Sequence, residues 1–249
     1  MTNTKATHLI VGVGEVGIAL KRILEKKVTL FWFDIKPKIK NNPPLSPEEI
    51  EVLHITFPQN EKFIRSVKQL IKKYNPKLTI IHSTTIPGTT KKLGANVVHS
   101  PIVGQHDCLY KHVKTFKKAV GPNSNKARLL AKKYIGKIFN LEFYKNSQTT
   151  EGAKVLALTK FAINVEMARY ANLFCKNLKI SYKETYTKFS ELYNEGYKKN
   201  NLVIFIQPVL DPPKGKIGGS CVVPGVKKAQ IILRSNFFDD IITKHEKEN

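Results

Sequence analysis

The stretch from His8 to Asp34 constrains the fold of this chain more than any other. It reads HLIVGVGEVGIALKRILEKKVTLFWFD: a short apolar run, three closely spaced glycines, a helical pattern of apolar residues and a second apolar run. This order predicts a buried strand, a tight turn, a helix and a second buried strand. Two such strands joined by a helix lie parallel in one sheet.

The rest of the first half keeps the same alternation. The runs VLHITFP, KLTIIHS, NVVHSP and KIFNLEFY have the character of strands, and the amphipathic EKFIRSVKQLIKKYN that of a helix. A further helix is predicted from about Ser124 to Ile135. Strands and helices that alternate in this way predict a Rossmann-type α/β fold over residues 1–145. Such a fold is a doubly wound parallel sheet with helices on both faces.

The pattern changes near Asn146, and residues 146–249 are predicted to form a smaller, mainly helical domain for substrate binding and dimerisation. Helices are expected at Thr149 to about Lys179, at Tyr182 to Lys199 and from Asn236, with a proline- and glycine-rich loop at Gln207 to Gly225. The apolar positions of the first helix nearly encircle it. Such a helix is buried between other helices or against a second subunit, which favours a homodimer.

Composition excludes several classes of protein. No run of eighteen apolar residues is present, and the N-terminus lacks the pattern of a signal peptide, so no membrane association is expected. The three cysteines, Cys108, Cys175 and Cys221, are too scattered for a disulfide framework or a zinc site. We therefore expect a cytoplasmic protein without a metal centre.

The net charge is large and positive, at +23. Only five of the 42 basic residues are arginine, the residue that nucleic-acid readers use for bidentate contacts, and the lysines follow no nucleic-acid-binding motif. A nucleic-acid partner is therefore not predicted. Lysine-rich coding bias, or attraction of a small anionic substrate, explains the charge.

The glycines at 12, 14 and 17 have the spacing G-x-G-x-x-G of dinucleotide-binding turns, and Asp34 lies 22 residues after the first. The first glycine permits the turn, the second lets the backbone approach a pyrophosphate, and the third lets helix and strand pack closely. Asp34 would accept hydrogen bonds from ribose hydroxyls and favours NAD, although Lys36 is also suited to the 2′-phosphate of NADP. The predicted cofactor-binding residues are Gly12, Val13, Gly14, Glu15, Val16, Gly17, Asp34, Lys36, Phe57, Pro58, Ser83 and Thr84.

Lys160 and Asn164 are polar residues one turn apart on the apolar helix, so they share one face. Burial would lower the pKa of the lysine and suit it to proton transfer or to stabilising an alkoxide. The alternative is that both side chains point to solvent as ordinary surface residues.

Taken together, the motifs resemble those of the UDP-glucose/GDP-mannose dehydrogenase family. GVGEVG with Asp34 is similar to its cofactor loop, HSTTIPGTT to its serine-threonine turn, KFAIN to its K-x-x-x-N helix, and PKGKIGGSC to its cysteine loop. The resemblance extends over residues 7 to 225. It implies an NAD-dependent oxidoreductase that acts on an alcohol or aldehyde, with a sugar or sugar nucleotide as substrate and a homodimer as its assembly.

The resemblance also implies catalytic roles. Cys221 would be the nucleophile that forms a thiohemiacetal, Lys160 and Asn164 would hold the reacting oxygen, and Thr84 would position water or the nicotinamide end of the cofactor. A thiolate is the reactive form of cysteine, and a neighbouring lysine favours it. Gly218 and Gly219 would clear the space around the thiol.

The chain departs from the family pattern at three places. Ile102 and Gly225 stand where the family has two acids that help in thioester hydrolysis. His82 or His99 is a candidate proton relay in place of the acid that is missing at position 102. Only 28 residues follow Cys221, so we expect a shortened member without the nucleotide-sugar-binding domain. Two alternatives therefore stay open: a two-electron dehydrogenase of the β-hydroxyacid and 6-phosphogluconate type, and a catalytically degenerate NAD-binding protein.

Overall fold

The fold is taken from a computed structural model, which describes residues 5–36, 42, 46, 49–213, 215, 221–236, 238–239 and 241–243. Two compact units divide the chain, Met1–Val155 and Leu156–Asn249. The sequence-based boundary at residues 145 and 146 lies ten residues earlier, just before a long helix that the division crosses.

The first unit is built on a seven-stranded sheet in the order β2-β1-β3-β4-β5-β6-β7. Strands β1 to β5 are parallel, as predicted. The sheet departs from this direction at its far edge, where β6 runs antiparallel to β5 and β7 is parallel to β6. The strands are β1 (Thr7–Val11), β2 (Thr29–Phe33), β3 (Val52–Ile55), β4 (Leu78–Ile81), β5 (Val97–His99), β6 (Lys118–Pro122) and β7 (Leu141–Phe143).

Helices cover both faces of the sheet, which confirms the doubly wound α/β class. The helices of this unit are α1 (Glu15–Leu24), α2 (Phe63–Tyr74), α3 (Leu109–Thr115), α4 (Asn125–Ile135) and the start of α5 (Ser147–Leu178). Residues of α1, α3 and α4 form one core with alternate strand residues such as Ile10 and Ile80. Residues of α2 form the other core with Leu9 and Leu53. Successive strand residues face opposite sides of a sheet, so each strand supplies both cores.

The second unit is mainly helical. It holds the rest of α5, a π-helical segment at Lys183–Lys188, α6 (Phe189–Lys199), a short 3-10 turn at Val203–Phe205, and α7 (Val222–Leu233). The predicted helices at 149–179 and 182–199 are confirmed within a few residues. Of the helix predicted from Asn236, the described residues 239 and 241–243 are helical, and several others of that stretch lie outside the described residues.

Helix α7 was not predicted. The loop expected to end at Gly225 gives way to helix at Val222, because Pro224 falls in the first turn, where proline costs no intrahelical hydrogen bond. A Cβ added to Gly225 would lie 2.8 Å from Leu158, so α7 packs closely on α5 at this glycine.

Helix α5 is 32 residues long, about 48 Å at the usual rise per residue. It buries Val155, Ala162, Val165 and Ala168 on one side. Eight other large apolar residues of the helix are exposed, most of them on the opposite side: Leu156, Phe161, Ile163, Met167, Tyr170, Leu173, Phe174 and Leu178. None of the described helices is long and apolar enough to cross a membrane.

Candidate functional site

The glycine turn between β1 and α1 has the geometry of a close approach between backbone segments. Gly12 adopts φ +97°, a value that favours glycine. A Cβ on Gly17 would stand 2.1 Å from the carbonyl oxygen of Gly12, so only glycine fits there. Gly14 is different, because its Cβ would meet nothing within 4 Å. The fold itself therefore gives no steric reason for glycine at position 14.

Asp34 follows β2 and lies beside this turn, almost fully buried. Its carboxylate accepts hydrogen bonds from the backbone N–H of Val13, at 2.5 Å, and of Lys36, at 2.8 Å. The acid therefore ties the glycine turn to the end of β2. The Lys36 side chain is exposed.

The segments that follow β3 and β4 lie at the same edge of the sheet, and they carry the predicted Phe57, Pro58, Ser83 and Thr84. Thr56, after β3, donates from its hydroxyl to the carbonyl oxygen of Val11 at 3.0 Å and also bonds to that of Gly12. Ser83, after β4, donates to the carbonyl oxygen of Phe57 at 2.5 Å. Because β1 is followed by β2 on one side and β3 on the other, this is the point where the winding of the sheet reverses, the usual position of ligands in such folds.

The serine-threonine turn is held by a buried acid that the sequence did not reveal. The carboxylate of Glu151, on α5, accepts bonds from the Thr85 hydroxyl at 2.9 Å, the Gly88 N–H at 2.6 Å and both the N–H and the hydroxyl of Thr90 at 2.8 and 2.6 Å. Thr84 itself remains partly exposed. Glu151 thus fixes the turn and leaves Thr84 accessible.

His99 and His82 lie behind this edge. His99 bonds through Nδ1 to the Thr150 hydroxyl at 2.9 Å and through Nε2 to the Ser83 carbonyl oxygen at 3.2 Å. Burial lowers the pKa of His99 to about 3 and that of His82 well below its usual value. Both rings are therefore neutral at pH 7. Ile102, at the position of one family acid, is buried, and its carbonyl oxygen accepts a bond from Lys154 at 2.8 Å.

In the second unit, Cys221 lies at the N-cap of α7 and is partly exposed. Lys228, two turns later on the same helix, is half-buried. Desolvation lowers the pKa of Lys228, and the nearby Cys221 thiol acts in the opposite direction, to raise it. The thiol therefore has a cationic group in its electrostatic reach. Gly218 and Gly219 lie outside the described residues.

Lys160 is exposed on α5, and Asn164 is partly exposed. Arg169 lies nine residues after Lys160, which is about two and a half turns, so the two point to opposite sides of the helix. Arg169 donates to the carbonyl oxygen of Gly215 at 2.9 Å and pairs with the buried carboxylate of Glu166 at 3.4 Å. Sequence reasoning chose Lys160 and missed Arg169, the α5 cation that contacts the segment leading to Cys221.

The second unit also has an open apolar pocket of about 550 Å³. Its lining carries no charged side chain, which makes it a poor place for an anionic ligand. It is lined by Met167, Tyr170, Ala171, Leu173, Phe174, Cys175, Asn177, Thr185 and Tyr186.

Comparison with solved structures finds the same fold in several dehydrogenases. UDP-D-ManNAc dehydrogenase from Pyrococcus horikoshii superimposes with a TM-score of 0.73 at 16% identity, over 98% of this chain and 68% of that one. The chain has the fold of the nucleotide-sugar dehydrogenases. A UDP-glucose dehydrogenase from Pyrobaculum islandicum gives 0.71 at 13% identity, over 100% of this chain and 68% of its own.

A shorter enzyme matches over more of its own length. The 3-hydroxyisobutyrate dehydrogenase of Mycobacterium tuberculosis gives a TM-score of 0.66 at 15% identity, over 93% of this chain and 89% of that one. No protein-family model and no curated protein matches the chain by sequence. The likeness is therefore one of fold, and it agrees with the resemblance read from the motifs.

Proposed function

We propose that the chain is an NAD-dependent dehydrogenase that binds its cofactor at the turn between β1 and α1. The observation that carries this proposal is Gly14, which has open space around its Cβ position in a turn where Gly12 and Gly17 are both required by the fold. A ligand that approaches the backbone explains the glycine at position 14. The dehydrogenases that share the fold support the same reading.

The residues present fit a dinucleotide. The N-terminal turn of α1, with Glu15 and Val16, would face the pyrophosphate, since helix N-termini favour anions. Asp34 would accept the ribose hydroxyls, which favours NAD over NADP. Ser83 and Thr84 lie at the same edge, where we propose the nicotinamide end to bind. The bound cofactor would supply the hydride acceptor.

We propose that Cys221 acts as the nucleophile on an aldehyde formed in a first oxidation. Its thiolate would add to the carbonyl carbon to give a thiohemiacetal, loss of a hydride would give a thioester, and water would release the acid and the thiol. Lys228 supports this role because a nearby cation favours the thiolate. This sequence consumes two NAD for each alcohol.

The proposed substrate is a small anion, such as a sugar or a sugar nucleotide. The net charge of +23 supports an anionic ligand. The solved structures that are named for UDP-sugars point the same way. Lys160 and Asn164 remain proposed as the groups that hold the reacting oxygen, and Thr84 as the group that positions water or the nicotinamide end, with Arg169 as a further cation near the cysteine segment.

A two-electron dehydrogenase is the second candidate, and two observations favour it. Ile102 and Gly225 stand where acids would assist hydrolysis of the thioester. The hydroxyisobutyrate enzyme matches over nearly its whole length. The candidates differ in stoichiometry, because this one produces one NADH per substrate and the first produces two.

The cofactor proposal is tested by two matched substitutions. Gly14→Ala is expected to change the free energy of unfolding by less than about 1 kcal/mol and to weaken NAD binding about tenfold or more, because the methyl group meets only the ligand. Gly17→Ala is expected to disturb the fold itself, since its Cβ meets the backbone. Urea unfolding and titration with NAD measure the two effects. Unchanged NAD affinity in a folded Gly14→Ala variant contradicts the proposed site.

We also propose a cytoplasmic homodimer. The exposed apolar side of α5 supports the dimer, because monomers rarely expose so long an apolar surface. The three cysteines are all free, which supports a reducing compartment.

A further inference from the structure

Three buried histidines form a continuous hydrogen-bonded row across the sheet. His8 Nδ1 lies 3.0 Å from His54 Nε2, and His54 Nδ1 lies 3.0 Å from His82 Nε2. The rings stack with centroids 5.1 and 5.3 Å apart. All three are almost completely buried, on β1, on β3 and directly after β4. They share the sheet face covered by α1, α3 and α4, because strand residues alternate between faces.

The carbonyl group of Ser100 fixes the protonation of every ring in the row. It lies 2.8 Å from His82 Nδ1 and can only accept, so His82 carries its proton on Nδ1. His82 Nε2 is then an acceptor, which requires a proton on His54 Nδ1. The same argument puts the proton of His8 on Nδ1. His8 Nε2 is left as a buried acceptor without a hydrogen-bond partner among the described residues.

Lys118 stands at one end of the row, 95% buried. Its Nζ lies 3.4 Å from His82 Nδ1 and donates to the Ser100 carbonyl oxygen at 3.2 Å, and the ring of Phe139 lies 5.6 Å away. Among the residues that the structure describes, no carboxylate pairs with it. Desolvation lowers the pKa of Lys118 to about 7, so the amine exchanges protons near neutral pH.

A charged surface group stands at the other end. Glu51 accepts from Lys77 and from the Tyr134 hydroxyl, both at 2.9 Å, and its charge acts to raise the pKa of His8. The Tyr134 and His8 rings form a T-shaped pair, with centroids 6.4 Å apart. Glu51 precedes β3, whereas Ser100 follows β5, so the row runs from the amino edge of the sheet to its carboxyl edge.

We propose that His8, His54 and His82 form a proton relay. Through this relay, buried Lys118 exchanges its proton with the surface of the protein beside Glu51 and Tyr134. A proton that reaches His8 Nε2 makes an imidazolium, and this ring passes its Nδ1 proton to His54 Nε2. His54 passes its own to His82 Nε2, and His82 passes its own to the neutral amine of Lys118. The rings end neutral with their protons on Nε2, and the charge ends on Lys118. The reverse sequence returns the proton.

The relay ends beside the Ser83–Thr84 turn, where the proposed function places the nicotinamide. The link to catalysis rests on that proposed function, because oxidation of an alcohol releases one proton with each hydride. A buried amine with a path to the surface is a suitable receiver for it. The charged groups near the relay also act on the histidines electrostatically. Lys118 acts to lower the pKa of His54 and His99, and Lys154 also acts on His99.

The first test is ¹⁵N NMR of the imidazoles in the whole protein at pH 8. We expect the Nδ1–H form at His8, His54 and His82, with the signals assigned from single histidine variants. At this pH Lys118 is mostly neutral, so a predominant Nε2–H form at any of the three contradicts the row as described.

The second test measures exchange of the Lys118 Nζ protons with water. His54→Gln keeps a donor and an acceptor but cannot relay a proton, and it is expected to slow this exchange about tenfold or more. His112→Gln is the control, since His112 lies on α3 outside the row and accepts a hydrogen bond from the Gln105 N–H. Exchange of the Lys118 Nζ protons is expected to stay unchanged in this variant. If His54→Gln does not fold, His8→Gln interrupts the same path at its surface end. Equal exchange in the folded row variant and in wild type overturns the relay.

These tests need no cofactor, so their outcome separates the relay from the proposed function. Slowed exchange in a protein that does not bind NAD leaves the relay standing and removes the dehydrogenase. If the protein binds NAD but exchange of the Lys118 Nζ protons is unaffected in the row variant, the cofactor site stands and the relay is removed.

Discussion

At the scale of single residues, Glu151 organises more of the proposed site than any residue chosen from the sequence. Its four hydrogen bonds join the serine-threonine turn to the start of α5. An acid in the first turns of a helix is ordinarily a surface residue whose negative charge interacts favourably with the helix dipole. Its burial depends on a turn some sixty residues earlier, and no local pattern records such a contact.

We expect Glu151→Gln to lower the free energy of unfolding by about 2–4 kcal/mol. The amide nitrogen of glutamine is a donor, and it would face N–H and O–H groups whose hydrogen bonds the carboxylate accepts. Urea unfolding measures the loss. Glu142→Gln is the matched control, since Glu142 is exposed and forms its ion pair with exposed Lys117, and its cost should stay below about 1 kcal/mol. Equal effects of the two substitutions would show that the buried carboxylate does not hold the turn.

Cys221→Ser is expected to leave NAD affinity unchanged and to stop formation of the acid. The serine hydroxyl is a weaker nucleophile than a thiolate, so oxidation should halt at the aldehyde with one NADH per substrate instead of two. Counting NADH over a panel of sugar-nucleotide and hydroxy-acid substrates gives the result. Cys108→Ser is the control at an exposed cysteine of the first unit. Acid formation at the wild-type rate in Cys221→Ser excludes the covalent step.

At the scale of elements, α5 shows which properties of a helix its sequence reveals. Its bounds were predicted within two residues, since a long stretch of helix formers without proline is a local signal. The direction in which each polar residue points was not predictable. When apolar residues nearly encircle a helix, the pattern no longer identifies the buried side, and Lys160 and Arg169 are equally good candidates from sequence alone.

The exposed apolar side of α5 gives a prediction about assembly. Phe174→Glu is expected to convert the proposed dimer to a monomer, because it places a charge in an apolar contact. Sedimentation velocity at micromolar protein measures the change. Leu129→Glu changes an equally exposed leucine on α4 and should leave the assembly intact. A wild-type protein that is monomeric under the same conditions contradicts the proposal directly.

At the scale of the whole molecule, the sheet and both of its helical layers followed from the alternation of short apolar runs and amphipathic stretches. The opposite direction of β6 and β7 relative to the other strands did not follow from this alternation. Strand direction depends on how the connecting segment packs, and the connection from β5 to β6 carries a 3-10 turn at His106–Cys108 and the short helix α3. The histidine row was also beyond prediction, because it joins positions 8, 54 and 82 that meet only in the assembled sheet.

The buried histidines make the stability of the whole molecule depend on pH. The pKa of His8 is lowered from 6.5 to about 4 by burial, and those of His54, His82 and His99 are lowered as well. The unfolded chain therefore binds more protons than the native one below pH 6.5, and stability is lost as the pH falls from 6.5 towards 4. His8 alone accounts for about 3 kcal/mol over this window. Urea unfolding at pH 7 and pH 5 should show the loss, and equal stabilities at the two values would contradict it.

The described residues from 207 to 213 and Gly215 have no regular structure, yet side chains hold this segment at four places. Asn194 exchanges two hydrogen bonds with Gln207, the hydroxyls of Tyr186 and Tyr182 bond to the carbonyl oxygens of Pro208 and Leu210, and Arg169 bonds to that of Gly215. A protease must bind several residues in an extended conformation before it cuts. Here each of these hydrogen bonds must break first. A digest of the native protein should therefore spare this stretch, although its sequence resembles a typical linker.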